Sequence, residues 1–322
     1  MADKVKVGVL GVGALGRHHA RLYKEIQGAE LVGIYDSDIA RAREIAAEIG
    51  TEVFENVADL AAKVDGLSIA VPTNFHHRVA SDLLKMNKHL LIEKPITETI
   101  AEAEELLAEA NKRHLVVSVG HVERFNPVIS YLELKADNPR FIECHRMSPY
   151  PPPRPGMLPR GTEVSVVLDL MIHDIDMVLN LVKSKVESVD AVGIPVLSPT
   201  EDIANARITF ANGCVANLTA SRVTPEPLRK IRVFQRDCYI SLDYMDRSGE
   251  VFTRAGVKIS REEVPVEDHN ALLKELEDFV AGIVHLRETG DMPKMKVSGE
   301  HGLAALRLAD EIIRKIRITN PL

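Results

Sequence analysis

Three groups of residues have the types and spacings that can do chemistry. Lys94 lies in Glu93-Lys94-Pro95, directly after the apolar stretch His89 to Ile92. Open α/β sheets bind ligands at the carboxyl ends of their strands, so this position would present an ammonium to a bound molecule. Pro95 restricts Lys94 to extended geometry and leaves the isomer of their peptide bond open. The second group is Asp169, His173 and Asp176, inside a mostly apolar helical run from Val164 to Val182. Spacings of four and three put them on one helix face. A carboxylate beside an imidazole orients the ring and favours its protonated form, which suits a group taking a proton from an alcohol near neutral pH. The third group is Gly11-Val12-Gly13-Ala14-Leu15-Gly16, between the apolar run Val5 to Leu10 and a helical pattern. Such a turn brings backbone N–H groups against a pyrophosphate at the positive end of a helix dipole. Gly11 makes the tight turn, Gly13 keeps side chains away from the phosphates, and Gly16 lets helix and strand pack closely. Asp36, followed by Ser37, closes the next apolar strand, Leu31 to Tyr35, at the spacing where a carboxylate meets the adenosine ribose.

Each group also has a plainer reading. Lys94 can be a surface lysine ahead of a helix-starting proline, with Thr97 as the cap. The Asp–His–Asp stripe can be a buried structural network, or Asp169 a helix cap. Two carboxylates and one histidine at these spacings match no strong ligand pattern, so no metal is expected.

The elements that must position these residues change character along the chain. Leu31 to Tyr35, Gly66 to Val71, His89 to Ile92 and Leu115 to Val119 read as buried strands alternating with helices at Ile39 to Ile49, His77 to Met86 and Ile100 to Arg113. That alternation predicts a doubly wound parallel sheet, a nucleotide-binding domain over residues 1–122. Beyond it, Phe141 to Met147, Ser188 to Ile194, Ala204 to Phe210, Val215 to Ser221, Lys230 to Phe234 and Tyr239 to Tyr244 read as strands separated by turns such as Ala211-Asn-Gly213 and Arg247-Ser-Gly249. These predict an α+β domain over 123–322 with a large, mostly antiparallel, open-faced sheet, closed by helices at Ala271 to His285 and Gly302 to Ile316.

Composition removes several function classes. A net charge of −7 argues against a nucleic-acid partner. No apolar run nears the roughly 20 residues needed to span a bilayer, and the first residues lack a signal-peptide core. Cys144, Cys214 and Cys238 are too few and too scattered for a disulfide framework or zinc knuckle. A cytoplasmic enzyme with reduced thiols is the expectation, with the open sheet face making a homodimer or homotetramer.

In order and spacing, Gly11-x-Gly13-x-x-Gly16, Glu93-Lys94-Pro95 and Asp169-x-x-x-His173-x-x-Asp176 resemble the Gfo/Idh/MocA oxidoreductases. The resemblance spans essentially the whole chain, including Gly299-Glu-His-Gly302-Leu-Ala-Ala-Leu-Arg. It implies an N-terminal Rossmann domain, catalysis by Lys94 and His173 with Asp169 alongside, and cofactor contacts from Pro72, Thr73, Asn74, His76 and Glu93. For His76 and His77 the competing reading is the first turn of a helix. Met171 stands where the family often has glycine. Asp36 would repel a 2′-phosphate and so favours NAD over NADP, while Arg41 keeps dual use open. The segments Gly120-His-Val-Glu-Arg124-Phe-Asn126-Pro127 and Pro149-Tyr-Pro-Pro-Pro-Arg154-Pro155 resemble members that oxidise the 3-hydroxyl of a UDP-N-acetylhexosamine. That resemblance puts Arg124, Asn126, Arg154 and Arg160 beside Lys94, Asp169 and His173 as substrate contacts, the arginines as diphosphate donors. A stiff proline-rich connector is the alternative for Arg154 and Arg160. For the activity, the alternatives are a dehydrogenase of a free sugar or inositol-like polyol, an NAD-dependent redox-neutral glycosidase, or a non-catalytic NAD-binding regulator.

Overall fold

Short apolar runs bounded by turn residues become buried strands in the first part of the chain. The computed structural model describes residues 3–153, 159, 161–256, 258–266 and 268–319. Arg154 and Arg160 lie outside the described residues. The chain divides into two compact units, one of Met1–Phe125 with His269–Leu303, the other of Asn126–Asp268 with Ala304–Leu322.

The first unit holds six parallel strands: β1 (Val5–Leu10), β2 (Ala29–Tyr35), β3 (Glu52–Val53), β4 (Gly66–Ile69), β5 (His89–Glu93) and β6 (Val117–Gly120). Their order is β3-β2-β1-β4-β5-β6. The order reverses between β1 and β4, so the ends of these two strands flank a topological switch point, the place where doubly wound sheets bind ligands. The intervening helices are α1 (Gly16–Tyr23), α2 (Ile39–Ile49), α3 (Val57–Lys63), α4 (His76–Lys85) and α5 (Ile100–Lys112). Side chains stop and start most of them. Asp38 caps α2, and Gly50 ends it in a left-handed conformation at φ 74°. Thr99 and Glu102 form a capping box on α5. Thr99 therefore does the capping that the plainer reading gave to Thr97, whose hydroxyl instead donates to the Thr99 carbonyl.

The second unit contains α6 (Pro127–Lys135), β7 (Phe141–Met147), α7 (Ile172–Val182), β8 (Val186–Ile194), β9 (Ile203–Phe210), β10 (Val215–Ser221), β11 (Leu228–Gln235), β12 (Cys238–Asp243), β13 (Ser248–Ala255) and β14 (Lys258–Glu263). They build an eight-stranded sheet in the order β14-β13-β12-β11-β7-β10-β9-β8. Every neighbouring pair is antiparallel except β7 with β10. Alternate residues such as Ile142, Cys144, Leu218, Ile231 and Val233 enter one core with α6 and α7. The opposite face carries a ladder of rings, Phe141, Phe234, Tyr239 and Phe252, with neighbouring centroids 4.6–5.6 Å apart. The open-faced antiparallel sheet is thus present, and β13 and β14 extend it beyond the six strands read from the sequence.

Two helices end the chain, α8 (Ala271–Thr289) and α9 (Gly299–Thr319). The sequence reading runs the second domain unbroken from 123 to 322. In the structure α8 returns to the first unit, because Leu276, Phe279, Val280 and Ile283 share a core with Val5, Val7 and Val9. No described helix is long and apolar enough to cross a membrane.

Candidate active site

At the end of β1 the three glycines do different things. Gly11 takes φ 81°, and its N–H donates to the Tyr35 carbonyl at 2.8 Å. A Cβ on Gly16 would overlap the Gly11 carbonyl oxygen, whereas one on Gly13 would meet nothing within 4 Å. Helix α1 starts here with no side-chain cap and no acidic residue in its first turn. The Arg17 and His18 N–H groups donate to the Gly13 and Leu15 carbonyls, and the positive end of the helix dipole, with no carboxylate against it, favours an anion. A dinucleotide diphosphate fits this arrangement: backbone donors, an uncapped helix start, and open space over Gly13.

The Asp36 carboxylate accepts the Val12 N–H at 2.8 Å on one oxygen and the Asp38 N–H at 2.9 Å on the other. It ties the glycine turn to the end of β2, a role that motif spacing did not disclose. Ala14, Leu15 and Ser37 are exposed, while Val12 is buried. After β4, Pro72 and Asn74 are exposed and Thr73 is half-buried, in a single 3-10 turn leading to α4.

The end of β5 is more enclosed. Glu93 is buried, and its carboxylate lies 3.1 Å from Nε2 of His19 on α1. Burial pushes the Glu93 pKa up, but His19, the Lys94 charge and the Lys94 N–H outweigh it and hold the carboxyl below its ordinary value. Gly120 gives this carboxylate its space, since a Cβ there would come within 2.9 Å of Oε2. Lys94 itself is half-buried, and the Lys94–Pro95 bond is cis. His76, read from sequence as a cofactor contact, is buried with Nδ1 3.0 Å from the Pro95 carbonyl and Nε2 2.9 Å from the Val71 carbonyl. Burial depresses its pKa against the opposing pull of those carbonyls and of Glu93.

In the second unit the uninterrupted helix expected over Val164 to Val182 is corrected. A π turn at Val167–Met171 precedes α7 and contains Asp169. Bonds from i to i+5 widen the turn there, so the four-residue spacing from Asp169 to His173 no longer equals one α turn. Asp169 and His173 are half-buried, and Asp176 is buried. Before the π turn, Arg222 donates to the carbonyls of Gly161 and Val164 at 2.5 and 3.0 Å and to Asp202 at 2.8 Å. Gly161 has φ 83°, and a Cβ on it would overlap the Asp169 carboxylate.

The acidic residue that spacing passed over is Asp174. It pairs with Arg146 of β7 at 3.2 Å and accepts the Tyr244 hydroxyl at 2.7 Å, with the pair 3% and 1% exposed. The three lie 28 and 70 residues from one another along the chain, so only the apolar alternation broken by Arg146 on β7 hinted at them. Tyr244→Phe is expected to cost about 1–3 kcal/mol, because a buried carboxylate loses a donor. Urea unfolding measures this, and an unchanged midpoint would show that the hydroxyl does not hold Asp174.

Arg124 and Asn126 also turn inward. Arg124 donates to the Lys296 carbonyl at 3.2 Å, while Asn126 caps α6 and donates to the Tyr244 carbonyl at 2.9 Å. Among the described residues no group of three or more His, Cys, Asp or Glu side chains is arranged to hold a metal ion.

A family model described as "Oxidoreductase family, NAD-binding Rossmann fold" matches residues 5–121, and the "GFO/IDH/MocA C-terminal domain" matches 136–240. The chain is 39% identical over 286 residues to a UDP-N-acetylglucosamine 3-dehydrogenase of Acidithiobacillus ferrooxidans, covering 87% of this chain and 88% of that one. The chain belongs to the Gfo/Idh/MocA oxidoreductase family. A solved structure of the Acidithiobacillus ferrooxidans enzyme superposes with TM-score 0.89 at 36% identity, covering 98% of each chain. A myo-inositol 2-dehydrogenase of Thermotoga maritima is 28% identical over 323 residues, 94% of each chain. Both relatives are named as dehydrogenases, and the fold described above is the one this chain shares with the solved Acidithiobacillus ferrooxidans enzyme.

Proposed function

We propose that this protein is an NAD-dependent dehydrogenase that oxidises the 3-hydroxyl of a UDP-N-acetylhexosamine. One observation carries the reading furthest: an uncapped α1 over the open Gly13, in the sheet whose strand β5 delivers Lys94. The 39% identity to a UDP-N-acetylglucosamine 3-dehydrogenase supports the substrate class.

The glycine turn and the positive end of the α1 dipole would hold the diphosphate, and Asp36 the adenosine ribose. NAD, when bound, supplies the acceptor for the carbinol hydride. His173 takes the hydroxyl proton, and Asp169 orients the ring and stabilises its positive charge. Lys94 donates a hydrogen bond to the same oxygen and steadies the charge that develops on it. Asp36, its carboxylate fixed by the Val12 and Asp38 N–H groups, would repel a 2′-phosphate by its charge and so favours NAD. The ring-lined face of the eight-stranded sheet supports a homo-oligomer, dimer or tetramer.

Absorbance of NADH is followed on mixing the protein with NAD or NADP and a panel of UDP-sugars, free sugars and inositols. Reduction of NAD by UDP-N-acetylglucosamine is the expected result, with a keto group at C3 of the product. Reduction by free polyols alone overturns the substrate, and a preference for NADP overturns the role of Asp36. Cleavage of a glycoside without net NADH overturns the dehydrogenase reading.

A further inference from the structure

The turn that carries Lys94 is gripped by two buried imidazoles from different helices. His19 of α1 approaches Glu93, the residue before Lys94, through Nε2 at 3.1 Å. His76 of α4 approaches Pro95, the residue after Lys94, through Nδ1 at 3.0 Å. Its other nitrogen lies 2.9 Å from the Val71 carbonyl in the turn that follows β4, so the ring donates to one of the two carbonyls when neutral and to both only when protonated. Both rings are essentially without solvent exposure. The Lys94 N–H is itself held, by Glu93 Oε2 at 3.3 Å.

We infer that His19 and His76 are positioning residues that brace Lys94 from either side, and that neither meets cofactor or substrate. The inference rests on the role proposed for Lys94. A lysine head sits on a flexible four-carbon stem. Its ammonium is placed accurately only if the backbone beneath it is fixed, and a misplacement of about 1 Å in a reacting group can cost on the order of a hundredfold in rate. In this unit the fixing comes through one side chain before Lys94 and one carbonyl after it. The arrangement also links three ligand-facing segments: the helix behind the glycine turn, the turn after β4, and the Glu93-Lys94-Pro95 turn.

Asparagine and glutamine separate bonding from mere packing. The asparagine amide nitrogen lies near the place of a histidine Nδ1, and the glutamine amide nitrogen near that of Nε2; both are donors. The bond that matters is at Nε2 in His19 and at Nδ1 in His76. His19→Gln and His76→Asn are therefore expected to keep kcat within about threefold of the parent, while His19→Asn and His76→Gln lower it about tenfold or more. The KM for NAD is expected to stay within about threefold in all four, since backbone groups elsewhere hold the diphosphate. Thermal melts of the four variants run alongside.

Opposite preferences at the two positions, with kcat not following Tm, support the bracing. The same preference at both positions, or kcat that tracks Tm across the four, overturns it. Lys94→Ala is measured in the same series. Its turnover falling while the isosteres behave alike sinks the bracing alone; unchanged turnover in Lys94→Ala sinks the role of the lysine, and the bracing with it.

Discussion

His173→Ala is expected to lower kcat by about 10²–10⁴-fold, the range for removing a general base, while the Kd for NAD moves less than about threefold. The proton of a secondary alcohol is weakly acidic, so hydride loss needs an acceptor in place as the C–O bond gains double-bond character. His173 sits one residue into α7, half-buried, with the π turn that carries Asp169 immediately before it. In the parent, kcat/KM is expected to fall on the acid side, since a protonated base cannot take the hydroxyl proton. His173→Ala is expected to flatten that limb, because the group whose protonation it reports is gone. Lys94→Ala is expected to cost about 10²–10³-fold, the loss that follows removal of one donor to a developing oxyanion. The acid limb remains in that variant, because His173 is intact. Stopped-flow NADH absorbance across pH distinguishes the two. A His173→Ala enzyme with parental turnover, or one that keeps the full acid limb, would falsify the assignment of the base.

How much of this was legible in the sequence depends on the range of the interaction involved. Local signals read well: the glycine turn, the in-phase apolar residues of α8, and the alternation of β7 and β10 each lie within a few residues. β14 did not read as a strand, because Lys258–Glu263 is mostly charged and exposed along its length. The phase of α8 predicted a helix but not the core it joins, which is set by β1, some 270 residues earlier. The site divides in the same way. Lys94 and His173 stood out through their own neighbours in sequence. Asp174 did not, because its partners come from distant parts of the chain, Arg146 from β7 and Tyr244 from the turn after β12. The mostly apolar run from Val164 to Val182 announces a helix, yet nothing local in it announces the slip to i+5 bonding at Val167–Met171. His76 and Glu93 were legible as residues near a ligand-binding end. Their direction was not, because only the packed structure turns both side chains inward, Glu93 toward His19 and His76 toward the Val71 and Pro95 carbonyls.

Gly13→Ala and Gly16→Ala, which differ by three positions and one methyl group each, are expected to fail in opposite ways. A methyl on Gly16 would overlap the Gly11 carbonyl oxygen and come within 3.2 Å of the Ala70 Cβ. Neither is the free end of a flexible side chain, so relief requires the turn to open or α1 to shift on β1. Overpacking of this kind costs about 1–3 kcal/mol or more, and the melt of the protein without cofactor is expected to fall by several degrees. Gly13 differs in both respects. Its φ is outside the left-handed region and its Cβ direction is open for 4 Å. The alanine methyl therefore costs the folded chain little, and the loss of backbone freedom when unfolded gives about 0.4–1 kcal/mol in the stabilising direction. The same methyl occupies the approach that a diphosphate needs. An NAD Kd raised about tenfold, worth about 1.4 kcal/mol, is the minimum expected. Ligand binding to the folded state raises Tm by mass action, so saturating NAD lifts the parent melt and lifts that of Gly13→Ala much less. A melt of Gly13→Ala that falls without cofactor as far as that of Gly16→Ala would mean the space over Gly13 is needed by the fold. A full NAD-induced shift in Gly13→Ala would mean that the cofactor diphosphate does not approach there.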